Sequence, residues 1–321
     1  MAGAVVDRLS RAADPDEIES TIADLWREIG REGPIARALM SNLVVFGHAT
    51  ADVPVEEVAA RHPSRVIRVS RTSEPPCDQP SLAATVDVMA YGPKEARYGV
   101  EHIALHAFCS DAALPSIIRR LMTGDVPTSV WWADDWARLP PLGVLIAVGR
   151  QFIYDSRGWT DVRNAVQLVQ PIVDEARIDC ADVNWRRLAP VRHALLQLAD
   201  RLTAEDLQPA AIRIAHRRGD SALAWLIGGW LSARLGWPAT ASPPIEEREQ
   251  EDDLAIRIGR VEPATTISLS ARQLIVAPSG GPAYTLAVRH ETQSDAVAAE
   301  LENLSQDAGL GDALRALARV Q

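Results

Sequence analysis

Ile18, Ile22, Leu25, Trp26 and Ile29 recur at spacings of three and four, which predicts an amphipathic helix over residues 16–29. Asp14 followed by Pro15 supplies its start, with acidic residues in the first turn. An apolar run over 42–46 closed by Gly47 predicts a strand, and 55–61 a short helix stopped by Pro63. Val66, Arg68 and Ser70 then alternate with Ile67 and Val69, the period of a strand. A loop with three prolines over 73–80 separates it from two strand patterns, 85–91 and 100–108, which read as antiparallel neighbours. A helix over 114–122 and a strand over 127–132 follow. Residues 142–148 are apolar throughout, so helix and strand both stay open there. A short strand at 152–154 precedes helices over 160–176, capped by Thr160 and Asp161, and 185–202.

The rhythm changes beyond residue 205. A strand at 211–215 and a helix at 221–235 lead into a Pro/Ser/Ala linker at 238–244 and an acidic run at 246–253, which reads as a solvated loop. Four strand signals come next, at 254–258, 265–269, 273–277 and 284–290. Gly and Pro punctuate them closely, which predicts an antiparallel meander. Residues 295–320 read as a closing helix. The expectation is therefore an α/β domain over 1–205, with a mixed, mostly parallel sheet flanked by helices. An α+β domain with an antiparallel sheet and helices is expected over 206–321. The division falls near Thr203 to Pro209.

Composition narrows the function classes. A chain of 321 residues, 47% apolar, can bury two cores. Its net charge of -10 opposes binding to phosphate backbones, and its basic residues form no long run, so no nucleic-acid partner is expected. The longest uncharged apolar stretch, 222–233, is short of the roughly 20 residues that span a bilayer, and residues 1–10 do not read as a signal peptide. A cytoplasmic protein without a membrane partner is the expectation. Cys77, Cys109 and Cys180 are widely spaced, with no CxxC pair, and read as reduced thiols.

Catalytic signatures are missing: no G-x-G-x-x-G after a strand, no phosphate-cradling G-x-x-x-x-G-K, no G-x-S-x-G elbow. His102 and His106 lie on a strand pattern and read as a solvent-facing pair. Asp134 and Asp135 point apart on a strand end. The pairs Arg119-Arg120, Arg186-Arg187 and Arg217-Arg218 could grip a phosphate bidentately, or serve as helix-surface salt-bridge donors. No catalytic residue, cofactor or metal is expected. Tryptophan stands out instead: nine Trp against three Phe and four Tyr. Core packing accounts for Trp26, Trp225 and Trp230. The doublet Trp131-Trp132 must send its rings to opposite faces of a strand, one into the core and the other partly exposed to a partner or a covering element.

Three segments carry a family resemblance. They are LPSIIRRLMTGDVPTSVWW at 114–132, DVNWRRLAPVR at 182–192 and ALAWLIGGWLSARLGW at 222–237. In that order they resemble the OpcA family. Where the family's Trp-Trp doublet is followed by Pro-Gly, this chain has Ala133-Asp134. The resemblance implies a non-enzymatic factor whose partner is glucose-6-phosphate dehydrogenase, and which promotes that enzyme's active oligomer and raises its activity. The candidate partner-binding residues are Trp131, Trp132, Asp134, Asn184, Trp185 and Arg186. The alternative is a sugar-phosphate sensor acting through the arginine pairs.

Overall fold

The computed structural model describes residues 7–47, 52–72, 81–108, 113–134, 142–175, 177–249, 252–304 and 307–320. In chain order the first elements are β1 (Asp7–Ala13), α1 (Ile18–Ile29), β2 (Ala36–Arg37), β3 (Ser41–Gly47), α2 (Val55–Arg61), β4 (Ser64–Thr72), β5 (Ser81–Tyr91) and β6 (Tyr98–Phe108). Next come α3 (Leu114–Leu121), β7 (Thr128–Ala133), α4 (Leu142–Val148), β8 (Gln151–Tyr154), α5 (Val162–Val173), β9 (Asp179–Asp182), α6 (Val183–Arg187) and α7 (Ala189–Leu198). The rest are β10 (Ile212–His216), α8 (Ser221–Leu235), β11 (Ile245–Glu247), β12 (Leu254–Ile258), β13 (Thr265–Leu269), β14 (Gln273–Ala277), β15 (Tyr284–Ala287), α9 (Gln293–Glu302) and α10 (Ala308–Ala318).

The chain forms two compact units. The first takes residues 1–154, 177–179 and 292–305; the second takes 155–176, 180–291 and 306–321. The units interleave along the chain, whereas the sequence reading places one division near Thr203 to Pro209.

The first unit is built on a mixed, mostly parallel sheet, with strand order β1-β5-β6-β4-β3-β7-β8 and β2 paired to β6. β3 is parallel to both β4 and β7, and every one of its residues is buried. A strand covered on both faces needs an unbroken apolar run, which is what Leu43 to Phe46 provide. β5 and β6 form the expected antiparallel pair. Gly92 turns their hairpin at φ +89°, where a Cβ would also lie 2.6 Å from Ala96 O. α1 buries Ile18, Ile22, Leu25 and Ile29, the stripe read from the sequence. α9 belongs to this unit although it follows the second sheet in the chain. It starts with a Thr292/Asp295 capping box and buries Val297 and Leu301. Arg61 donates to Asp295 at 2.8 Å, Ser294 to Glu57 at 2.6 Å, and Gln151 Nε2 to Glu300 O at 2.9 Å.

The second unit carries the sheet β11-β10-β12-β13-β14-β15. β12 to β15 form the antiparallel meander, and β11 alone pairs parallel, with β10. Residues alternate strictly between buried and accessible along β12 and β13. That is the signature of an antiparallel sheet with one covered face. α8 is buried through most of its length and packs with α10.

Four expectations need correction. The helix expected over 185–202 is divided into α6 and α7, because Pro190 lacks the N–H that would continue the ladder and starts a new helix instead. The helix expected over 295–320 is likewise two, α10 being begun by Asp307, whose carboxylate accepts from Gly309 N and Leu310 N. The acidic run is only partly a loop: Glu246 and Glu247 lie in β11, and Asp253 is 3% exposed. β1 went unforeseen because it is polar. Its seven residues pair in register with β5 but offer little hydrophobic alternation.

Candidate functional site

Trp131 and Trp132 point to opposite faces of β7, as strand geometry requires, but both are buried, at 0% and 3% exposed. The partly exposed ring that was expected does not exist. The reason is topological. β7 lies inside a parallel stretch of sheet, between β3 and β8, and parallel sheets carry helices over both faces. Trp132 packs near Phe46, ring centroids 6.0 Å apart. Trp131 Nε1 finds no acceptor among the described residues. Asp134, just beyond the strand, is partly exposed. Trp136, Leu139 and Asp135 lie outside the described residues, as do Cys77 and Cys109. Cys180 is buried.

The segment Asp182 to Arg187 is an internal joint of the second unit. Asp182 caps α6 through Asn184 N at 2.9 Å and accepts from Ser156 N at 3.0 Å. Asn184, fully buried, donates to Ser156 Oγ at 3.0 Å. Burial, and next the Asp155 carboxylate, push the Asp182 carboxyl up to about 7. Trp185 is also buried. Its Nε1 donates to Asp307 at 2.7 Å, and the Arg192 guanidinium stacks 3.9 Å from its ring centroid. Arg186 grips Glu291 in a bidentate fork, both contacts at 3.0 Å, and keeps about a quarter of its side chain (26%) exposed.

Most members of the arginine pairs have partners within the chain. Arg187 bonds Asn184, Asp220 and Asp253, and Arg217 bonds the same two aspartates. Arg119 donates to Ala147 O, and Arg120 pairs with Asp16. For Arg120, Arg186, Arg187 and Arg217 this is the salt-bridge role weighed for them in the sequence.

Two buried carboxylates were missed. Asp87 and Glu101 sit on the paired strands β5 and β6, at 2% and 3% exposed. Asp87 accepts from Arg8 at 2.8 Å and meets His102 Nδ1 at 3.0 Å. Burial alone raises its carboxyl, but hydrogen bonds from His102, Ser10 and Arg8 outweigh that and hold it at about 2. His102 is therefore not solvent-facing as expected; His106 is exposed. Glu101 accepts from Trp26 Nε1 at 2.6 Å and Arg37 at 3.0 Å, and Arg65 lies 3.3 Å away. The available signal was the alternation of charged with apolar residues along 100–108, which reads as one wet face. Glu101 and His102 are adjacent and project to opposite faces: α1, carrying Trp26, covers Glu101, while His102 pairs with Asp87 on the other face.

These arrangements cap helices and neutralise buried charge. Among the described residues, no group of three or more His, Cys, Asp or Glu is placed to hold a metal ion. No helix is long and apolar enough to cross a membrane among them either.

Comparison with known proteins places this architecture. The family model for the N-terminal domain of the OpcA-type glucose-6-phosphate dehydrogenase subunit matches residues 55–170, and the model for the C-terminal domain of the same protein matches 178–314. The OxPP cycle protein OpcA of Nostoc punctiforme is 28% identical over 224 residues, 63% of this chain and 43% of that protein. The OpcA protein of a Synechocystis species is 29% identical over 201 residues, 57% of this chain and 39% of that protein. The chain belongs to the OpcA family. It spans about two fifths of the length of these relatives. A solved structure of a super-repressor mutant of Gal80p from Saccharomyces cerevisiae aligns over 83% of this chain and 82% of that one. Its TM-score of 0.40 at 10% identity is too distant a likeness to bear on function.

Proposed function

We propose that this protein is a non-catalytic, cytoplasmic assembly factor that binds glucose-6-phosphate dehydrogenase, favours its active oligomer and raises its activity. The observation that carries the reading is the pair of glucose-6-phosphate dehydrogenase-associated domains matched over 55–170 and 178–314. The site chemistry agrees with it for Asp182 and Arg187, which are committed to a helix cap and to ion pairs with Asp220 and Asp253. A binding partner activates an enzyme only by preferring its active conformation, and a coupling of about 1–3 kcal/mol gives a few-fold to about hundredfold effect. Of the six candidate partner-binding residues, Asp134 and Arg186 keep accessible side chains and are the ones we place at the interface.

The test adds purified protein to the dehydrogenase of the same genome. The expected outcome is a stable complex with a lower apparent KM or a higher kcat. An Arg186→Ala variant that stays folded should bind less tightly. Saturating protein that neither binds the enzyme nor alters its kinetics would refute the reading.

A further inference from the structure

We infer that β15 is a self-association edge, on which a second copy of this chain adds its own β15 in antiparallel register. β15 ends the second sheet, and Val288 N donates to Arg272 O at 2.8 Å just past it. That bond sets the phase of the strand. In an antiparallel pair, alternate residues turn both backbone groups the same way. Leu286 and Tyr284 therefore share the side of Val288 and face β14, while Thr285 and Ala287 turn their N–H and C=O groups away from the sheet. Thr285, Leu286 and Ala287 are all exposed, and Tyr284 partly so.

Natural sheets guard such edges with charge, Lys, Pro or extreme shortness. Two of the other edges are guarded by charge. β1 carries Asp7, Arg8 and Arg11, and β11 has three residues, two of them Glu246 and Glu247. β15 has no guard. From Ser279 to Val288 there is no charged residue, and Pro282 lies outside the strand. Leu286 is 39% exposed, one of few large apolar residues left so open.

A two-fold axis through Leu286 makes this strand its own complement. Thr285 then faces Ala287 of the other copy, and Ala287 faces Thr285, two hydrogen-bonded pairs whose open groups satisfy one another. Leu286 meets Leu286 of the other copy in the intervening non-hydrogen-bonded pair, where side chains approach most closely. Arg289 of each copy falls opposite Ala283, so no like charges meet. A chain of net charge -10 repels its own copies, and an uncharged contact strip is the place where that repulsion is least. Because the strip is short, the dimer is weak, and screening by salt strengthens it.

The inference does not rest on the dehydrogenase reading, and its test needs this protein alone. Light scattering after size exclusion, from about 1 to about 200 µM, brackets a weak interface of this size. The expected result is a monomer–dimer equilibrium that shifts to dimer with concentration and with salt. Leu286→Lys should abolish the dimer without changing the far-UV spectrum or the melting temperature. Leu286→Cys should give a disulfide-linked dimer on mild oxidation, while a Thr266→Cys control on β13, two strands in from the edge, should not. A wild-type protein that stays monomeric throughout, or a dimer that survives Leu286→Lys, overturns the inference.

Discussion

Asp182 has exchanged water for two backbone N–H donors, and the cost shows in its proton affinity. With the carboxyl raised to about 7, the folded chain holds a proton that the unfolded chain releases near the ordinary value of 3.8. Its contribution to stability is therefore full below about pH 4 and falls by about 1.4 kcal/mol per pH unit as pH rises towards 7. Asp182→Asn keeps an acceptor for Ser156 N and Asn184 N and cannot ionise. Its stability should be flatter between pH 5 and 8, and above that of the parent at pH 8. Denaturant midpoints at several pH values check this, and an unchanged slope would refute it. Asp87 has the opposite sign: depressed to about 2, it stabilises above the ordinary carboxylate range and loses that contribution as pH falls through 2. Neither role was legible in the sequence. Asp182 stood there as part of a family motif, and Asp87 as one polar member of an alternating strand.

At the scale of elements, the two adjacent glycines of α8 are not equivalent. A Cβ on Gly229 would lie 2.6 Å from Ala313 O and 2.6 Å from Leu317 Cγ, both on α10. On Gly228 the nearest atoms are at 3.7 Å, an ordinary contact. Gly229→Ala should therefore destabilise the protein by about 1–3 kcal/mol through forced separation of the helices. Gly228→Ala should be neutral or stabilise by up to about 1 kcal/mol, the helix propensity of alanine over glycine. Paired thermal melts decide it, and equal effects would mean that the α8–α10 contact does not require glycine. Elements with a strong period were legible: α2, α8, β12, β13 and β14 lie where the sequence puts them. Elements held by pairing alone, such as β1 and β11, carry no period of their own and were missed. The undecided stretch 142–148 is helix α4, a choice its all-apolar sequence cannot make locally. The tryptophan doublet shows the same limit at the candidate site. Strand alternation gave the opposite directions of the rings, but only the place of β7 inside a parallel stretch of sheet, whose faces helices cover, decides that both are buried.

At the scale of the molecule, the decisive feature is that α9 reaches the first unit from the far end of the chain. Its Asp295 holds Arg61, its Ser294 donates to Glu57, and its last carbonyls accept from Gln151. A fragment ending at residue 291 lacks all three contacts and uncovers the surface against which Val297 and Leu301 are buried. Protection of β3 and β4 amides in hydrogen exchange should fall in that fragment, and a synthetic peptide of residues 292–305 should restore part of it. Protection that is unchanged without the peptide would show that α9 is dispensable to the first unit. In genetic terms, the two halves of this gene are not cassettes. A premature stop between codons 290 and 302, which a linear map would score as a loss at the carboxyl end, is also a lesion of the amino-terminal fold. Complementation between separately expressed halves would then require a break that leaves α9 with the first of them.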